Sequence, residues 1–230
     1  MEEFNRLAML VGKEAIESLE NKRVAVFGIG GVGGYVCESL ARSGIGHFLL
    51  VDNDVVSITN INRQIVALHS TIGRAKVDVM KERMLDINPN IVVEVKQMFY
   101  DESTELDLSS YDYVIDCIDS VKSKLYLIEI CKKVNTPIIC SMGTGNRLNP
   151  KGFEICDISK THNCSLAKIM RKECKVRNLG KVDVLYNPND ALTPLFETNE
   201  GKRTVGSSAF SPSSAGLMIG SFVVSKLLNI

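Results

Sequence analysis

The chain has 230 residues, of which 45% are hydrophobic, a composition typical of one globular domain with an appendage. Lys and Arg together number 27, as do Asp and Glu, so the net charge favours neither DNA nor a membrane as a partner. The seven cysteines form no C-x-x-C pair, and we expect no secretory leader before the acidic start of the chain. These features predict a cytoplasmic protein with neither a disulfide framework nor a structural zinc.

The first half of the chain alternates between strand and helix patterns. Apolar residues at helical spacing predict two short helices over 4–20, separated at Gly12. Strands are predicted at 23–28, 48–52, 91–98, 113–117 and 137–142, and helices at 32–43, 76–88 and 123–134. This alternation predicts an α/β fold, a Rossmann-like, doubly wound and mostly parallel sheet with right-handed crossovers.

The pattern changes after Gly143. Strands predicted at 153–158 and 181–186 flank a basic helix near 164–177, and a loop is expected at 187–203. The uncharged stretch from Thr204 to Ser225 is densely apolar only over 217–224, which is too short to span a membrane. We therefore predict a serine-rich loop leading into a buried helix. The predicted organisation is a helical segment (1–20), a nucleotide-binding Rossmann-like domain (21–145) and a C-terminal extension that completes the substrate site (146–230).

A glycine-rich loop follows the first predicted strand. Gly28, Gly30 and Gly33 form the pattern G-x-G-x-x-G, with Gly31 inside it. Such glycines let the backbone turn tightly and approach a phosphate at a helix N-terminus. Asp52 ends the next strand, where a carboxylate can accept the ribose hydroxyls of an adenine nucleotide. The loop predicts a nucleotide site that fits NAD, FAD or ATP, and glycines needed only for strand–helix packing are the alternative.

Polar and charged side chains beyond Asp52 favour ATP among these nucleotides. They are Asp54, Asn60, Asn62, Arg63, Gln64 and Lys76. Cleavage between the α- and β-phosphates requires cations for the leaving pyrophosphate and a carboxylate for Mg²⁺. Asp116 and Asp119 offer that carboxylate at the end of a parallel strand. The alternatives are surface salt bridges for the cations, and a helix cap plus a solvated acid for the two aspartates.

Five elements in this order resemble the ubiquitin-activating (E1-like) adenylyltransferase superfamily over residues 4 to about 145. They are the N-terminal arginine Arg6, G-x-G-G-x-G, D-x-D-x-V-x-x-x-N-x-N-R-Q, a lysine and D-C-I-D. The resemblance implies ATP and Mg²⁺ as cofactors, with Asp119 holding the metal. It implies catalytic roles for Arg63, Lys76 and Asp119, and for an Arg6 that reaches into the partner's site in a homodimer. The implied nucleotide-binding residues are Gly28, Gly30, Gly31, Gly33, Asp52, Asp54, Asn60, Arg63, Gln64, Lys76, Asp119 and Ser120. Plain surface decoration is the alternative for Arg6.

The second half resembles one branch of that superfamily, the tRNA threonylcarbamoyladenosine dehydratases. The resemblance is carried by GTGNRLNP, DISKTHNCSLAKIMRKE and GSSAFSPSSAGLMIGSFVVSKLL, with Ser165 where a proline is expected. It implies that ATP activates the carboxylate of N6-threonylcarbamoyladenosine at tRNA position 37 as an acyl-adenylate. A nitrogen of the same modification then closes a five-membered ring, and AMP and pyrophosphate are released.

A basic segment at 160–181 predicts the tRNA contact. Its only acid is Glu173, and its basic residues are Lys160, Lys168, Arg171, Lys172, Lys175, Arg177 and Lys181. On an otherwise neutral chain this pattern is typical of a nucleic-acid backbone footprint. A solvated helical face is the alternative.

Other functions and groups stay open at this point. Adenylation of a ubiquitin-like sulfur carrier, nucleotide sensing without turnover and nicotinamide-dependent dehydrogenation are the competing functions, and a sulfur-relay protein is a further candidate partner. Four cysteines are predicted to be core residues: Cys37, Cys117, Cys131 and Cys140. Cys164 and Cys174 lie by the basic segment, where a persulfide or thioester role is open to Cys164. His47, His69 and His162 show no metal spacing.

Overall fold

Seven strands form one sheet in the computed structural model, which describes residues 2–196 and 205–230. The strands are β1 (Arg23–Phe27), β2 (His47–Val51), β3 (Val92–Lys96), β4 (Tyr113–Asp116), β5 (Ile138–Ser141), β6 (Glu154–Asp157) and β7 (Asp183–Tyr186). Their order is β3-β2-β1-β4-β5-β7-β6, and every neighbouring pair is parallel except β6 and β7. The predicted α/β class with a mostly parallel sheet is confirmed, and β1 and β4 flank the point where the strand order reverses.

Seven α-helices connect and cover these strands in the part of the chain that the structure describes. They are α1 (Asn5–Val11), α2 (Lys13–Glu20), α3 (Gly33–Ala41), α4 (Lys76–Ile87), α5 (Val121–Lys133), α6 (Ser165–Val176) and α7 (Phe210–Leu228). Gly12 separates α1 from α2 with φ of 94°, as predicted, because an L side chain is strained there. No helix among these is long and apolar enough to cross a membrane.

The predicted serine-rich loop before the last helix is wrong. α7 begins at Phe210, so residues 211–214 form its first turn, where Pro212 is tolerated because no intrahelical N–H is needed. Small residues let α7 approach α3 closely: a Cβ added to Gly216 would lie 2.4 Å from the carbonyl oxygen of Val32. The stretch is weakly apolar because it packs backbone against backbone. Of the predicted loop at 187–203, residues 187–196 contain no helix or strand, while 197–203 and Thr204 lie outside the described residues.

The two faces of the sheet carry separate apolar cores. One core packs β1, β2 and β5 side chains against α3, α4 and α7, and the other packs against α5 and α6. The predicted core positions of Cys37, Cys131 and Cys140 are confirmed, whereas Cys117 is half-buried. Since β6 and β7 extend the same sheet, the second half of the chain is continuous with the first.

Candidate active site

A cavity of about 320 Å³ opens where β1, β2 and β4 end. Parallel sheets present their ligands at this carboxyl edge, beside the reversal of strand order. The predicted residues that line it are Gly28, Gly30, Gly31, Asp52, Asp54, Asn60, Arg63, Gln64, Lys76 and Asp119. Segments far apart in sequence therefore converge on one site, because the crossovers of the sheet return each strand end to the same edge.

The glycines of the loop have different roles. A Cβ on Gly28, where φ is 86°, would lie 2.6 Å from the carbonyl oxygen of Cys117. A Cβ on Gly33 would lie 1.8 Å from the carbonyl oxygen of Gly28, so this residue serves strand–helix packing and does not line the cavity. A Cβ on Gly30 would meet no protein atom closer than 3.9 Å. Only the space beside Gly30 is thus left open on the cavity side for a ligand.

Backbone amides hold the Asp52 carboxylate at the cavity wall. One oxygen accepts the N–H of Ile29 at 2.6 Å, and the other accepts the N–H of Asp54 at 2.8 Å. Burial raises the pKa of the Asp52 carboxyl above its ordinary value, against the opposing effects of these hydrogen bonds and of Lys76. Each oxygen retains a lone pair, so the oriented carboxylate can accept two hydroxyl groups of a ligand.

The two cations of the site are held differently. Lys76 begins α4, is 5% exposed and places its Nζ 2.7 Å from Asp54. Arg63 donates from Nη1 to the carbonyl oxygen of Thr59 at 2.7 Å and to Asn62 at 3.0 Å. Burial lowers the pKa of its guanidinium, which remains charged, and no carboxylate pairs with it among the described residues. The salt-bridge alternative therefore fails for Arg63, and the Lys76 pair lies in the cavity wall instead of on the surface.

Gln64 supplies an orphaned polar atom at the same wall. Its side chain is 7% exposed, and its Oε1 has no hydrogen-bond partner in the described part of the chain. Asn60, by contrast, accepts the N–H of Ser57 at 3.1 Å and so fixes the local turn. Buried polar atoms without partners are rare in native proteins. The amide of Gln64, the open space at Gly30 and the two cations together fit a polar, phosphate-bearing ligand.

The two aspartates at the end of β4 have separate environments. Asp116 is fully buried, with one oxygen 2.9 Å from Lys124 Nζ and the other accepting the N–H of Ile118 at 3.0 Å. Both the ligand and the helix-cap interpretations of Asp116 are wrong, because this carboxylate forms an internal ion pair. Asp119 is exposed and lines the cavity, whereas Ser120 caps α5 and lines a neighbouring cavity.

Asp119 therefore fits a Mg²⁺ that is held jointly by protein and phosphate. Mg²⁺ in nucleotide sites takes one or two carboxylates and completes its shell with phosphate oxygens and water. Within residues 2–196 and 205–230, no group of three or more His, Cys, Asp or Glu residues forms a metal site on its own.

The C-terminal segment forms one side of the site. The side chain of Pro212 packs against Gly31, where an added Cβ would lie 3.1 Å from it. The Asn62 side-chain amide donates to the carbonyl oxygen of Ser207 at 3.0 Å. The segment at 205–212 thus contacts both the glycine loop and the turn that carries Arg63.

The remaining predicted residues lie elsewhere. Arg6 is exposed on α1 and does not line the cavity. The basic segment forms α6 and its flanks, where a groove is lined by Lys168, Arg171, Lys172 and Lys175. Cys164 is half-buried before α6, and His162 lies 3.2 Å from the hydroxyl of Tyr186.

Two buried cations escaped the sequence analysis, Lys124 and Arg147. Arg147 follows β5 in GTGNRLNP and is 9% exposed, while Lys124 lies inside a helix that reads as ordinary amphipathic sequence. Nothing in one sequence distinguishes either from a surface residue. The GTGNRLNP motif was the only available signal, and it pointed to the segment without assigning a role to Arg147.

Comparisons with known proteins cover nearly the whole chain. The ThiF family matches residues 4–229. A tRNA threonylcarbamoyladenosine dehydratase of Bacillus subtilis is 42% identical over 246 residues, covering 100% of this chain and 96% of that protein. The crystal structure of the E. coli tRNA N6-threonylcarbamoyladenosine dehydratase in complex with ATP is similar with a TM-score of 0.88 and 32% identity, covering 99% of this chain and 94% of that one. An E. coli molybdopterin-synthase adenylyltransferase is 31% identical over 139 residues, which is 59% of this chain and 56% of that protein.

Proposed function

Since this chain belongs to the ThiF family, we propose that it uses ATP to dehydrate N6-threonylcarbamoyladenosine at position 37 of tRNA. The observation that carries the proposal is similarity to dehydratases along both halves of the chain, 42% identical over 100% of its length. The adenylyltransferase match covers only 59% of the chain. The nucleotide cavity supports ATP as the activating substrate, because it offers a ribose acceptor, an open phosphate loop and two cations.

The residues divide the first step among themselves. Asp52 holds the ribose hydroxyls, and the backbone at Gly30 approaches the phosphates. The substrate carboxylate attacks the α-phosphorus, so that a new C–O–P linkage forms and the bond to the β-phosphate oxygen breaks. Arg63 and Lys76 stabilise the negative charge that develops on the leaving pyrophosphate. A Mg²⁺ held by Asp119 supplies further charge neutralisation when it is bound.

The second step needs no nucleophile from the protein. A nitrogen of the threonylcarbamoyl group attacks the activated carbonyl carbon, the five-membered ring closes, and AMP leaves with the electron pair of the broken C–O bond. Because nucleophile and electrophile belong to one substituent, their proximity already lowers the barrier. Cys117 lines the cavity, but burial raises the pKa of its thiol to about 12, so it is protonated at neutral pH.

α6 is the proposed contact for the tRNA backbone. Lys168, Lys172 and Lys175 are exposed on one side of the helix, and none forms an ion pair among the described residues. Arg177 is less available, because it lies 2.7 Å from Glu129. Replacing the three free lysines with glutamine should weaken tRNA binding and reduce its salt dependence by about 0.9 per lost phosphate contact on duplex regions.

The proposed assembly is a homodimer in which Arg6 acts in the partner's site. The exposed side chains of Met9 and Leu10, on the same helix as Arg6, offer apolar surface that a symmetric interface would cover. Mixing Arg6→Ala with Asp119→Ala chains tests this, since a mixed dimer regains one intact site. We expect about a quarter of wild-type activity after full subunit exchange. No gain on mixing would refute the shared site.

The cytoplasm is the proposed setting, and a sulfur-relay protein is the proposed accessory partner. All seven cysteines are free, which fits a reducing compartment. Cys164 is the candidate acceptor from such a partner, since it is half-buried at the start of the basic helix. A Cys164→Ser variant should keep ATP-dependent dehydration with purified tRNA and lose any stimulation by the relay protein.

Mass spectrometry of tRNA nucleosides tests the proposed function. Incubation with Mg-ATP should convert threonylcarbamoyladenosine to a product lighter by one water, and no product should form without ATP. Asp119→Ala serves as the inactive control. Pyrophosphate exchange that occurs only with a Gly-Gly-tailed carrier protein, together with an unchanged nucleoside, would replace the proposal with sulfur-carrier adenylation.

A further inference from the structure

Arg147 is a buried cation without a charged partner. The guanidinium donates to two backbone carbonyl oxygens, that of Asn187 at 3.1 Å and that of Asp190 at 3.3 Å. Its Nε has no hydrogen-bond partner, and no carboxylate pairs with it within residues 2–196 and 205–230. The other deeply buried cation, Lys124, has the Asp116 carboxylate beside it. An unpaired buried charge is unfavourable unless a ligand supplies the opposite charge.

Arg147 lines two neighbouring depressions of about 310 and 430 Å³. The larger one, here called the Arg147 groove, has an apolar wall made by Leu148, Leu192, Pro194, Leu195 and Phe196 and a polar wall made by Asn146, Ser207 and Ser208. Leu195 is 98% exposed and Phe196 is 80% exposed. An exposed aromatic ring beside a cation and hydrogen-bonding groups is the combination that proteins use to hold an unstacked nucleobase.

The Arg147 groove and the nucleotide cavity share a wall. The Ser207 carbonyl that accepts from Asn62 belongs to the groove, and Asn62 in turn accepts from Arg63. The hydroxyl of Ser208 donates to the carbonyl oxygen of Arg147 at 3.2 Å. A substrate bound in the groove therefore lies next to the residues proposed to surround the ATP phosphates. The reacting carboxylate has to come from such a neighbouring site.

We propose that the Arg147 groove binds the modified adenosine of the tRNA after it leaves the base stack. The base rests on the Leu195–Phe196 surface, and an oxyanion of the same nucleotide compensates the charge of Arg147. This inference rests on the proposed function and adds the site that selects its substrate. The oxyanion is a carboxylate of the modification or a backbone phosphate, two groups that a guanidinium recognises by the same bidentate geometry.

Steady-state kinetics on modified tRNA tests the groove. Arg147→Met removes the charge at similar length and should raise the KM for tRNA about tenfold or more, the effect of losing one hydrogen-bonded charge. Phe196→Ala should raise the same KM roughly fivefold or more, the low end for a base–aromatic stack. Arg147→Lys should recover part of the loss. Arg42→Met is the matched control, since Arg42 pairs with Glu38 on the exposed side of α3, and it should leave the KM unchanged.

Two further measurements separate recognition from folding. The melting temperature of Arg147→Met should equal or exceed that of the wild type, because an unpaired buried charge has been removed, and its ATP affinity should stay within about twofold. A lower melting temperature without a selective change in the KM for tRNA would assign Arg147 a structural role. Phe196→Ala keeps the test decisive in that case, since an exposed side chain contributes little to folding.

Binding of two probes identifies the oxyanion. Free N6-threonylcarbamoyladenosine carries the carboxylate without a phosphate, and an unmodified anticodon stem-loop carries phosphates without that carboxylate. Arg147→Met should weaken one of the two by about tenfold in calorimetry. An active wild type whose KM is unchanged by both groove variants overturns this inference alone, whereas an inactive wild type overturns the proposed function. Arg147-dependent binding of a Gly-Gly-tailed peptide instead would identify a protein tail as the occupant and refute the nucleoside.

Discussion

A methyl group on Gly30 should separate nucleotide binding from folding. In Gly30→Ala the new Cβ meets no protein atom within 3.9 Å, and Gly30 is not among the glycines with positive φ. The folded chain can therefore accept alanine, and its stability should change by no more than about 1 kcal/mol, with the lost flexibility of the unfolded chain acting in its favour. The methyl group instead occupies the space where the backbone would approach a phosphate.

The expected loss of affinity follows from that geometry. Displacing the phosphate from the loop removes at least one hydrogen bond to a charged group, worth about 1.5–3 kcal/mol. At 1.4 kcal/mol per tenfold change in Kd, ATP should bind roughly 10- to 150-fold more weakly. Titration calorimetry with ATP measures this change, and thermal unfolding in the absence of nucleotide measures the stability.

Gly33→Ala is the matched control for the same substitution. Its Cβ would lie 1.8 Å from the carbonyl oxygen of Gly28, so the start of α3 would have to shift. We expect this variant to lose several kcal/mol of stability, with weaker ATP binding only as a consequence. Gly30→Ala that binds ATP as tightly as the wild type would show that the phosphates do not lie against this loop.

Three further substitutions test the charged residues of the site and its support. Arg63→Met and Lys76→Met should each slow adenylate formation by about 10²–10³, measured as pyrophosphate release in a single turnover, and near-normal rates would remove the residue from the mechanism. Asp119→Ala should abolish adenylate formation while calorimetry still detects part of the ATP binding, whereas complete loss of binding would make Asp119 an anchor for the nucleotide. Lys124→Met should lower the free energy of unfolding in urea by about 3–5 kcal/mol, because Asp116 is left buried without its partner, and Asp116→Asn in the same chain should restore part of it.

The fold could be predicted because its signals are local and repeated. Each buried strand of the first half is a short apolar run, and each helix has apolar residues at helical spacing. The start of α7 could not be predicted in this way. Its serines and glycines are chosen for close approach to α3, and the same residue types in another setting form loops. Composition alone does not distinguish these two uses.

The cavity could be predicted for a different reason. Its residues follow strand ends, and the parallel topology brings strand ends together without any knowledge of side-chain contacts. The pairing of charges was beyond this reasoning. Asp116 and Asp119 are three positions apart after one strand, yet one is fully buried against Lys124 and the other faces the cavity. Which of them is buried depends on α5, whose approach to the sheet no local pattern specifies.

The same limit explains why Arg147 emerges only from the structure, and why it matters for specificity. Arg63 and Lys76 can recognise any ATP, so they do not explain which carboxylate is activated. That choice requires a second site that contacts the acyl substrate and adjoins the first. The segment at 205–212 provides the connection, because it contacts the Arg63 turn through Ser207 and the Arg147 backbone through Ser208. Family members that activate other carboxylates can keep the nucleotide cavity and change this neighbouring wall, which places specificity in the C-terminal half of the chain.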